Sequence, residues 1–399
     1  MAVPKPLGIQ ISEYLKSRKV VGVDRYVPYF LSSLGCHIAS LYNNGFEEIC
    51  ETFWTQLGQS VDCRLHLMLV GPPGYGKNFA MDNFIREDIG LAHGLVPGTF
   101  VNKITDKSFF GGWGDEGQWM PGLAEDYRTG IIGIHELSSV LTMGKAEHSS
   151  AMLDQLLEAL SGGEVTIRTG GREEHKYRTH FTMWAGIQGE RFNVPSGFNR
   201  RVCILNLSPN LEEIAEYSRA HYEGQNIPPD YDTIRRIREQ FILLHHEFGN
   251  YLDRIVFDKD YTKYLQEEKK LPHPDLELLD RVAVGWTIMY KPLPSGTLHI
   301  YLDKSLKKLL LDTLDMKHRT LLGVTASQII KILPKDPITL TDLKRQCIGL
   351  GIESQKASTA INELAIHQFI SYYPFKERGK PTVTMVQRGP NWSADGITE

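Results

Sequence analysis

Cysteine is scarce in this chain, and its few positions do not cluster. Five cysteines are spread over 399 residues, and no CxxC pair or Cys/His group with the spacing of a metal site occurs. An odd number of scattered cysteines indicates reduced thiols. We therefore expect a cytoplasmic protein. The cysteines are Cys36, Cys50, Cys63, Cys203 and Cys347.

Long apolar runs and an excess of one charge are missing as well. No apolar stretch approaches the roughly 20 residues that a membrane span needs. The N-terminal segment MAVPKPLGIQ also lacks the apolar core of a signal peptide, so we expect no membrane association. The net charge of −4 argues against a uniformly basic protein that coats nucleic acid, although it leaves room for local basic patches.

A short apolar run followed by a glycine-rich loop is the most informative motif. Residues 65–70 read as a buried strand, and Gly71, Gly76 and Lys77 follow at the spacing G-x-x-x-x-G-K. Glycines let backbone N–H groups turn toward a phosphate, and a lysine reaches its β/γ oxygens as a point charge. The alternative is an ordinary Gly/Pro turn. The motif predicts bound ATP, held by Gly71, Pro72, Pro73, Gly74, Tyr75, Gly76, Lys77, Asn78 and Phe79.

The metal chemistry of this motif departs from the usual pattern. Asn78 stands where a serine or threonine normally helps to hold Mg²⁺. A second apolar run ends in His135 and Glu136. The glutamate is predicted to act as general base toward water, whereas the histidine replaces an aspartate that normally binds Mg²⁺. A neutral imidazole is a poor ligand for this hard ion, yet it can accept a hydrogen bond from metal-bound water. We predict Mg²⁺ as cofactor, with Asn78 and His135 as its residues. The alternative is a buried strand end with a satisfied histidine.

The pattern of strands and helices predicts an α/β fold. Between 61 and 208, short apolar strands alternate with helices, which is typical of a doubly wound core. Periodic apolar residues predict helices at 29–41 and 46–57. The strands are expected at 65–70, 131–135, 181–187 and 202–207. The predicted domains are a helical lead at 1–60, a nucleotide-binding core at 61–208, a helical lid at 209–318 and a winged helix at 319–399.

The C-terminal segment differs in character from the core. Helices are expected at 326–333, 342–350 and 354–367, and Thr341 is predicted to cap the second of them. Strand-like residues at 369–374 and 382–388 flank a turn. Three helices followed by a β-hairpin predict a winged-helix arrangement.

Residues 150–207 resemble the AAA+ core of the minichromosome-maintenance helicase family. A helix at 152–160 leads into a hairpin strand at 164–169, and the chain then returns to a strand that ends near Gln188. An arginine-bearing segment, 198–201, precedes the last strand. The resemblance extends over roughly 60–315 and implies an AAA+ P-loop core with a helical lid. Only about 60 residues precede the core, so the large N-terminal DNA-binding domain of that family is not expected.

The resemblance implies roles for four further residues. Gln188 corresponds to the family's sensor asparagine, Arg201 corresponds best to its arginine finger with Arg200 as competitor, and Arg281 corresponds to an arginine of the second-sensor helix. An arginine finger acts on the nucleotide of a neighbouring subunit, so a homo-oligomeric ring, and first of all a hexamer, is implied. The alternatives are a surface charge at a strand edge for Arg201 and an ion pair with Glu277 for Arg281.

A basic hairpin is the predicted DNA-binding element. In the family this hairpin projects into the channel of the ring and grips the DNA backbone. Glu173 and Glu174 dilute its charge here, so the alternative is an ordinary solvated face. The predicted DNA-binding residues are Arg168, Arg172, Lys176 and Arg178.

Two other segments are candidates for DNA contact. The insert at 108–123 carries Trp113 and Trp119 in a glycine-rich loop, and it is expected to contact DNA or a neighbouring subunit unless the tryptophans belong to the core. The winged helix offers phosphate contacts unless it docks a protein instead. Its polar residues are Lys356, Ser358, Thr359, Asn362, Lys376, Arg378 and Lys380.

These features predict a ring-forming, ATP-dependent DNA translocase or helicase in DNA replication or mobile-element maintenance. Lys77, Glu136 and the arginine finger favour this hypothesis. Asn78 and His135 favour an alternative, a catalytically weakened paralogue that binds nucleotide as an assembly or loading signal. A more distant alternative is an AAA+ regulator of transcription or defence.

Overall fold

A computed structural model places the polypeptide in two units, Met1–Thr313 and Leu314–Glu399. Each unit is described by itself below. The residues that the structure describes are 5–40, 53–54, 60–74, 76–93, 98–101, 104–138, 147–161, 163–168, 174–188, 198, 200–207, 211–222, 227–269, 271–292, 296–321, 326, 329–330, 332–366, 369–376, 379 and 381–389.

Elements of the first unit are numbered along the chain. Its strands are β1 (Phe53–Trp54), β2 (Ser60–Val61), β3 (His66–Val70), β4 (Gly98–Val101), β5 (Gly112–Trp113), β6 (Trp119–Met120), β7 (Ile131–Ile134), β8 (Glu164–Ile167), β9 (His175–Arg178), β10 (Thr182–Ile187), β11 (Val202–Asn206), β12 (Leu252–Phe257) and β13 (Gly296–Ile300). Its helices are α1 (Leu7–Ser17), α2 (Val23–Ser40), α3 (Lys77–Ile85), α4 (Asp106–Phe110), α5 (Leu123–Asp126), α6 (Glu147–Ala159), α7 (Leu211–Tyr222), α8 (Tyr231–Tyr251), α9 (Lys259–Lys263) with a π-helical turn (Tyr264–Glu268) and α10 (His273–Tyr290). The boundary between the two units falls within a further helix, α11 (Lys304–Leu321).

A five-stranded parallel sheet forms the centre of this unit and confirms the predicted α/β class. The strand order is β11-β3-β10-β7-β4, and every neighbouring pair is parallel. Strands β3, β7 and β10 are buried along their whole length, which explains why their sequences are continuous apolar runs. All four strands expected in the core are therefore present, and β4 is a fifth that the sequence did not predict.

Two expectations about helical regions are corrected. The predicted helix at 46–57 is wrong at Phe53 and Trp54, which pair antiparallel with Ser60–Val61; residues 46–52 and 55–57 lie outside the described part. The predicted all-helical lid contains a parallel strand pair, β12 with β13. In both places backbone pairing with another segment decides the conformation: the partner is eight residues or fewer away for β1, and more than 40 residues away for β12.

Helix α2 connects the N-terminal residues to the sheet. Phe30 on this helix stacks on Phe84 of α3 at 5.2 Å and meets Trp184 of β10 edge-on at 5.0 Å. The indole N–H of Trp184 donates to the hydroxyl of Ser33, also on α2, at 2.8 Å. Helix α2 therefore contributes core residues that pack on the central sheet.

The same helix crosses α10 at unusually close range. A Cβ atom added at Gly285 would lie 1.9 Å from the backbone oxygen of Ser32, and one added at Gly35 would lie 2.4 Å from the oxygen of Gly285. Only glycine permits this approach of two helix backbones. The crossing fixes α2 between the sheet and α10.

The second unit combines helices with a three-stranded antiparallel sheet. Its elements are α12 (Leu340–Gly349), α13 (Ser354–Ile366), β14 (Ile338–Thr339), β15 (Ile370–Phe375) and β16 (Val383–Arg388), with sheet order β14-β16-β15. The predicted cap at Thr341 is wrong by two residues: Thr339 is the N-cap, and its hydroxyl oxygen accepts from the Asp342 N–H at 3.0 Å. Helix α12 consequently begins at Leu340, which the strand pairing of β14 with β16 places next to the sheet.

Candidate functional site

The glycine-rich loop lies between β3 and α3, as the sequence predicts. Gly74 and Gly76 have φ angles of 86° and 76°, in the left-handed region that side chains rarely adopt. Gly76 directly precedes α3, so the helix N-terminus faces the loop. Tyr75 lies outside the described residues.

Lys77 is buried against its own loop. Its Nζ donates to the backbone oxygens of Gly71 and Pro72, both at 2.8 Å. Burial lowers the pKa of Lys77, and the negative charge of Glu136 opposes this shift. The ammonium group therefore lies within electrostatic reach of the predicted general base.

The two motifs and Gln188 meet at one edge of the sheet. The loop follows β3, Gln188 follows β10 and Glu136 follows β7, and all three strands are parallel, so their carboxyl ends coincide. Backbone hydrogen bonds join these ends: the Gly71 N–H donates to the Ile187 oxygen at 3.2 Å, and the Leu137 N–H donates to the Gly186 oxygen at 2.8 Å. Because β10 lies between β3 and β7, Gln188 stands between the lysine loop and Glu136.

An aspartate that the sequence did not single out lies at the same edge. Asp82 is on α3, five residues beyond Lys77; burial raises its pKa, and the neighbouring Arg86 and His135 oppose that shift. Arg86 reaches its carboxylate at 3.7 Å. Glu136 itself accepts from the Ser138 N–H at 3.1 Å. Asp82 is five residues from Lys77 and so does not share its helix face, which is why the motif gave no signal for it.

The residues predicted at the metal fit Mg²⁺ poorly. Asn78 offers an amide oxygen, which this ion accepts, but His135 offers an imidazole nitrogen, which it does not favour. Among the described residues, no group of three or more His, Cys, Asp or Glu side chains is placed to hold a metal ion. Mg²⁺ as cofactor stays a prediction.

The predicted arginines gather at the other edge of the sheet. Arg200 and Arg201 precede β11, and with Arg281 of α10 they line a cavity of about 310 Å³ that also contains Arg64. Arg64 is buried and pairs with Asp62 through Nε at 2.6 Å. The cavity lies at the amino ends of β3 and β11, a strand length from the phosphate loop, which is about 13 Å for four residue steps.

Each arginine has a defined position in this cavity. The Nε of Arg201 donates to the Ser161 hydroxyl at 2.7 Å, and burial together with the neighbouring Arg200 lowers the pKa of Arg201. Arg281 donates through Nε to the Asp62 backbone oxygen at 2.9 Å and lies 4.0 Å from Glu277. The pairing of Arg281 with Glu277 is thus present but long, and the backbone contact is the shorter of the two.

Most described cations of the predicted DNA hairpin are matched by acids. Strands β8 and β9 pair antiparallel, with Glu164 opposite Arg178. Glu174 accepts from Arg168 and lies 2.8 Å from the ammonium of Lys176. Arg172 lies outside the described residues. The hairpin is therefore present as predicted, but its charge is largely balanced.

The tryptophans of the insert pack on this hairpin. Trp119 stacks on His175 of β9 with ring centroids 3.7 Å apart, and Trp113 meets Trp119 edge-on at 5.6 Å. Glu125 accepts from the Trp119 N–H at 2.8 Å and lies 3.1 Å from His175 Nε2. The two tryptophans thus join insert and hairpin into one packed element.

A cavity beside the phosphate loop was not predicted from the sequence. Its volume is about 290 Å³. Gly76, Phe79 and Ala80 form one side, and Tyr217 of α7 lies nearby. The opposite side belongs to the segment between α1 and α2, which is remote in sequence from the loop and carries no motif.

Polar residues expected on the C-terminal unit bond within their own helix. Lys356 pairs with Glu353 at 3.2 Å, and the hydroxyls of Ser358 and Thr359 donate to backbone oxygens one turn earlier. Arg378 and Lys380 lie outside the described residues.

Comparison of the sequence with protein-family models gave no match, and comparison with curated proteins gave none either. None of the helices within the described ranges combines the length and apolar character that crossing a membrane requires.

Proposed function

We propose that the chain is an AAA+ ATPase of the minichromosome-maintenance type, which binds ATP at residues 71–79. The observation that carries this proposal is the separation of two functional sets across one parallel sheet. Lys77, Gln188 and Glu136 lie at the carboxyl edge, whereas the predicted arginines lie at the amino edge. The first set would hold the phosphates and direct the attacking water, and the arginines would stabilise charge on the nucleotide of a neighbouring subunit.

The residues at the carboxyl edge support phosphoanhydride hydrolysis. Lys77 donates to the carbonyl oxygens of Gly71 and Pro72. Phosphate oxygens would compete with these carbonyls as acceptors, because the ammonium then makes a hydrogen bond to a charged partner. Glu136 would orient a water and accept its proton, and the amide of Gln188 would position that water. The bond between the terminal and middle phosphates breaks, and the water oxygen forms the new bond to phosphorus.

The arginines at the amino edge support an oligomer. A strand length separates them from their own phosphate loop, so they would serve the nucleotide of a neighbouring subunit. Arg201, Arg200 and Arg281 share one cavity, which favours joint action of the finger and second-sensor residues on that neighbour. Repetition of such a head-to-tail contact closes into a ring, and we propose a hexamer.

DNA translocation is the proposed use of hydrolysis. The hairpin β8–β9 supports it, because this strand pair carries basic residues and the insert packs on it. The C-terminal unit adds three-stranded antiparallel pairing and short helices, which is compatible with a winged helix. The proposed process is replication or mobile-element maintenance.

Mixed-subunit ATPase measurements test this proposal. Arg201→Ala and Glu136→Gln proteins should each be inactive, and an equal mixture should regain activity because about one quarter of interfaces then pair an intact glutamate with an intact arginine. Arg235→Ala, at an exposed arginine of α8, is the matched control and should remain active. A protein that stays monomeric with ATP and hydrolyses it unaided would contradict the ring.

Asn78 and His135 favour a second candidate, a nucleotide-dependent assembly or loading factor with weak hydrolysis. Lys77 and the loop glycines would still bind ATP, but the donors near the phosphates suit a metal-assisted step poorly. ATP-promoted assembly without measurable turnover would favour this candidate over the translocase.

A further inference from the structure

We propose that the outer face of the C-terminal sheet binds single-stranded nucleic acid, with Tyr373 and Phe375 each stacking on one base. This site goes beyond the proposed function, because it belongs to the C-terminal unit and needs neither ATP nor a ring. It also differs from the phosphate contacts that the sequence assigns to the polar residues of a winged helix.

The strand register divides this sheet into two faces. Tyr372 pairs with Val386, and Val386 pairs with Ile338, so these side chains share one face. Val386 is fully buried, and Ile338 packs against the buried cluster of this unit. The Tyr372 hydroxyl donates to the backbone oxygen of Ile361 on α13 at 3.3 Å. This is therefore the inner face, which packs on the helices.

The outer face carries a stripe of four apolar side chains. Tyr373 lies opposite Met385, and Phe375 lies opposite Val383. Alternate residues of a strand point to opposite faces, so all four project away from the helices. Phe375 is 48% exposed and Val383 is 38% exposed, whereas Tyr373 and Met385 are half-buried. Single exposed apolar side chains are common, but a contiguous stripe with two aromatic rings indicates a binding surface.

The turn end of this hairpin is accessible from both faces. Residues 374–376 on β15 and beyond it are exposed, and so are residues 381–384 on the returning side. Pro374 is compatible with this strand because β15 lies at the edge of the sheet and has one unpaired side. The rings at this end therefore extend past the cover of the helices.

The charge of the same hairpin suits a chain of phosphates. Residues 369–389 contain four cations and one acid, in a chain whose net charge is −4. Lys376 is exposed directly after Phe375, and no acid among the described residues pairs with it. The hairpin β8–β9 differs, because Glu174 contacts two of its cations. An aromatic stripe bordered by positive charge favours a polyanion with flat apolar faces, which is the chemistry of nucleic acid.

The spacing of the two rings favours a single strand over a duplex. Tyr373 and Phe375 are two residues apart on one strand, which separates them by about 7 Å. Successive bases of duplex DNA are about 3.4 Å apart and cover each other's faces. An extended single strand presents its base faces separately, and stacking on aromatic rings tolerates any sequence. We therefore expect one base on each ring.

Fluorescence anisotropy with two labelled strands tests this site in the full chain without ATP. One strand is oligothymidine, and the other is an abasic strand of equal length that keeps the phosphates. The wild type should prefer oligothymidine. Phe375→Ala and Tyr373→Ala should each weaken oligothymidine binding roughly 5- to 150-fold, the range for one stacked base, and leave the affinity for the abasic strand unchanged. Phe375→Tyr keeps a ring and should bind as the wild type does.

Two further variants serve as controls. Tyr231 is 62% exposed at the start of α8 in the first unit, so Tyr231→Ala removes an exposed ring outside the stripe and should leave both affinities unchanged. Phe375→Leu separates stacking from folding, because leucine keeps an apolar contact with Val383. This variant should melt as the wild type does and still lose affinity for oligothymidine.

Three results would overturn the proposal. If the wild type binds both strands equally, or if Phe375→Leu binds oligothymidine as tightly as the wild type, no base stacks on this face and a protein partner fits it better. If Phe375→Ala weakens duplex binding as much as oligothymidine binding, the hairpin contacts duplex phosphates and the site is not one for single strands.

Oligouridine distinguishes the two sources of a single strand. Equal weakening of oligouridine and oligothymidine by Phe375→Ala supports a site for RNA and DNA alike. Weakening of only one of them supports the proposal and assigns the site to that nucleic acid. Because ATP is absent from every measurement, a chain that fails to bind or hydrolyse ATP would contradict the proposed function and leave this inference intact.

Discussion

Lys77 and Glu136 suit phosphate binding and water activation, whereas Asn78 and His135 suit a metal ion poorly. Burial lowers the pKa of Lys77, and the charge of Glu136 opposes that shift. The ammonium and the carboxylate therefore interact electrostatically at the carboxyl edge of the sheet. Such a pair suits phosphate binding and water activation. Asn78 and His135, in contrast, supply neither a hydroxyl nor an anionic oxygen to a hard cation. The individual residues therefore support nucleotide binding better than rapid hydrolysis.

We expect the double variant Asn78→Ser, His135→Asp to hydrolyse ATP faster than the wild type, by about tenfold or more if it regains one metal-ligand contact of 1.4 kcal/mol. Both changes restore the oxygen donors that Mg²⁺ prefers. Steady-state phosphate release at saturating ATP and Mg²⁺ measures the effect, and ATP affinity should change little. A wild type that already turns over rapidly, together with a slower double variant, would show that the metal donors have been assigned to the wrong residues.

At the scale of elements, one glutamate balances much of the predicted DNA hairpin. Glu174 contacts both Arg168 and Lys176, so neither cation is available to a phosphate without breaking an ion pair. These side chains are partly or largely exposed, and exposed ion pairs contribute little to stability. Glu174 therefore regulates the charge of the hairpin more than its folding.

We predict that Glu174→Gln strengthens DNA binding and steepens its salt dependence. Each additional phosphate contact adds roughly 0.7–0.9 to the slope of log affinity against log salt. Arg168→Ala should have the opposite effect. Glu353→Gln is the matched control, because it releases Lys356 on the C-terminal unit in the same way. If only this control strengthens binding, DNA contacts the C-terminal unit and not the hairpin; if neither variant does, both DNA assignments fail.

The sequence predicts those strands that are buried on both faces, because burial makes them continuous apolar runs. Strands β3, β7 and β10 are buried on both faces, so an apolar run suffices to indicate them. Strand β4 has the sequence GTFV, in which glycine and threonine interrupt the apolar run that marks β7, a strand of the same length. Strand β12 finds its partner β13 about 40 residues later, so its stability comes from a segment that a local pattern does not contain.

Of the whole site, the sequence predicted the glycine-rich loop and the groups that topology brings to it, but not the cavity beside the loop. The spacing of Gly71, Gly76 and Lys77 predicts a phosphate-binding loop, and the parallel topology brings Glu136 to the same edge of the sheet. The segment before α2 lines the cavity beside the loop because α2 packs on the sheet and on α10, which no local pattern encodes. Residues that contribute through packing of distant helices are therefore the ones that sequence reasoning missed.

At the scale of the whole molecule, the crossing of α2 and α10 should be intolerant of any side chain. Gly285→Ala places a Cβ 1.9 Å from the Ser32 oxygen, and the helices must separate to admit it. We expect a loss of at least about 1–3 kcal/mol in the free energy of unfolding, measured with urea. Gly349→Ala on α12 has open space around its Cβ and should be neutral or stabilising. Equal stability of the Gly285→Ala protein and the wild type would mean that the two helices do not meet at these residues.

Buried histidines should make the stability of the molecule fall in mild acid. Burial, with the charge of Arg64 adding to it, lowers the pKa of His37 and of His180 to about 3. His180 is consequently neutral although Asp62 lies 3.9 Å away. The folded protein therefore leaves both imidazoles unprotonated, while the unfolded chain protonates them below its pKa of about 6.5. The contribution of the two neutral histidines to the free energy of unfolding is complete above pH 6.5. It is lost as the pH falls toward 3, at up to roughly 1.4 kcal/mol per histidine and pH unit.

Urea unfolding at two pH values measures this loss. We expect the free energy of unfolding to be about 2 kcal/mol lower per histidine at pH 5 than at pH 7. In a His37→Gln variant the loss of stability between pH 7 and pH 5 should be smaller by the contribution of one histidine, about 2 kcal/mol. Equal free energies of unfolding at pH 7 and pH 5 would mean that these imidazoles are accessible to protons in the folded state.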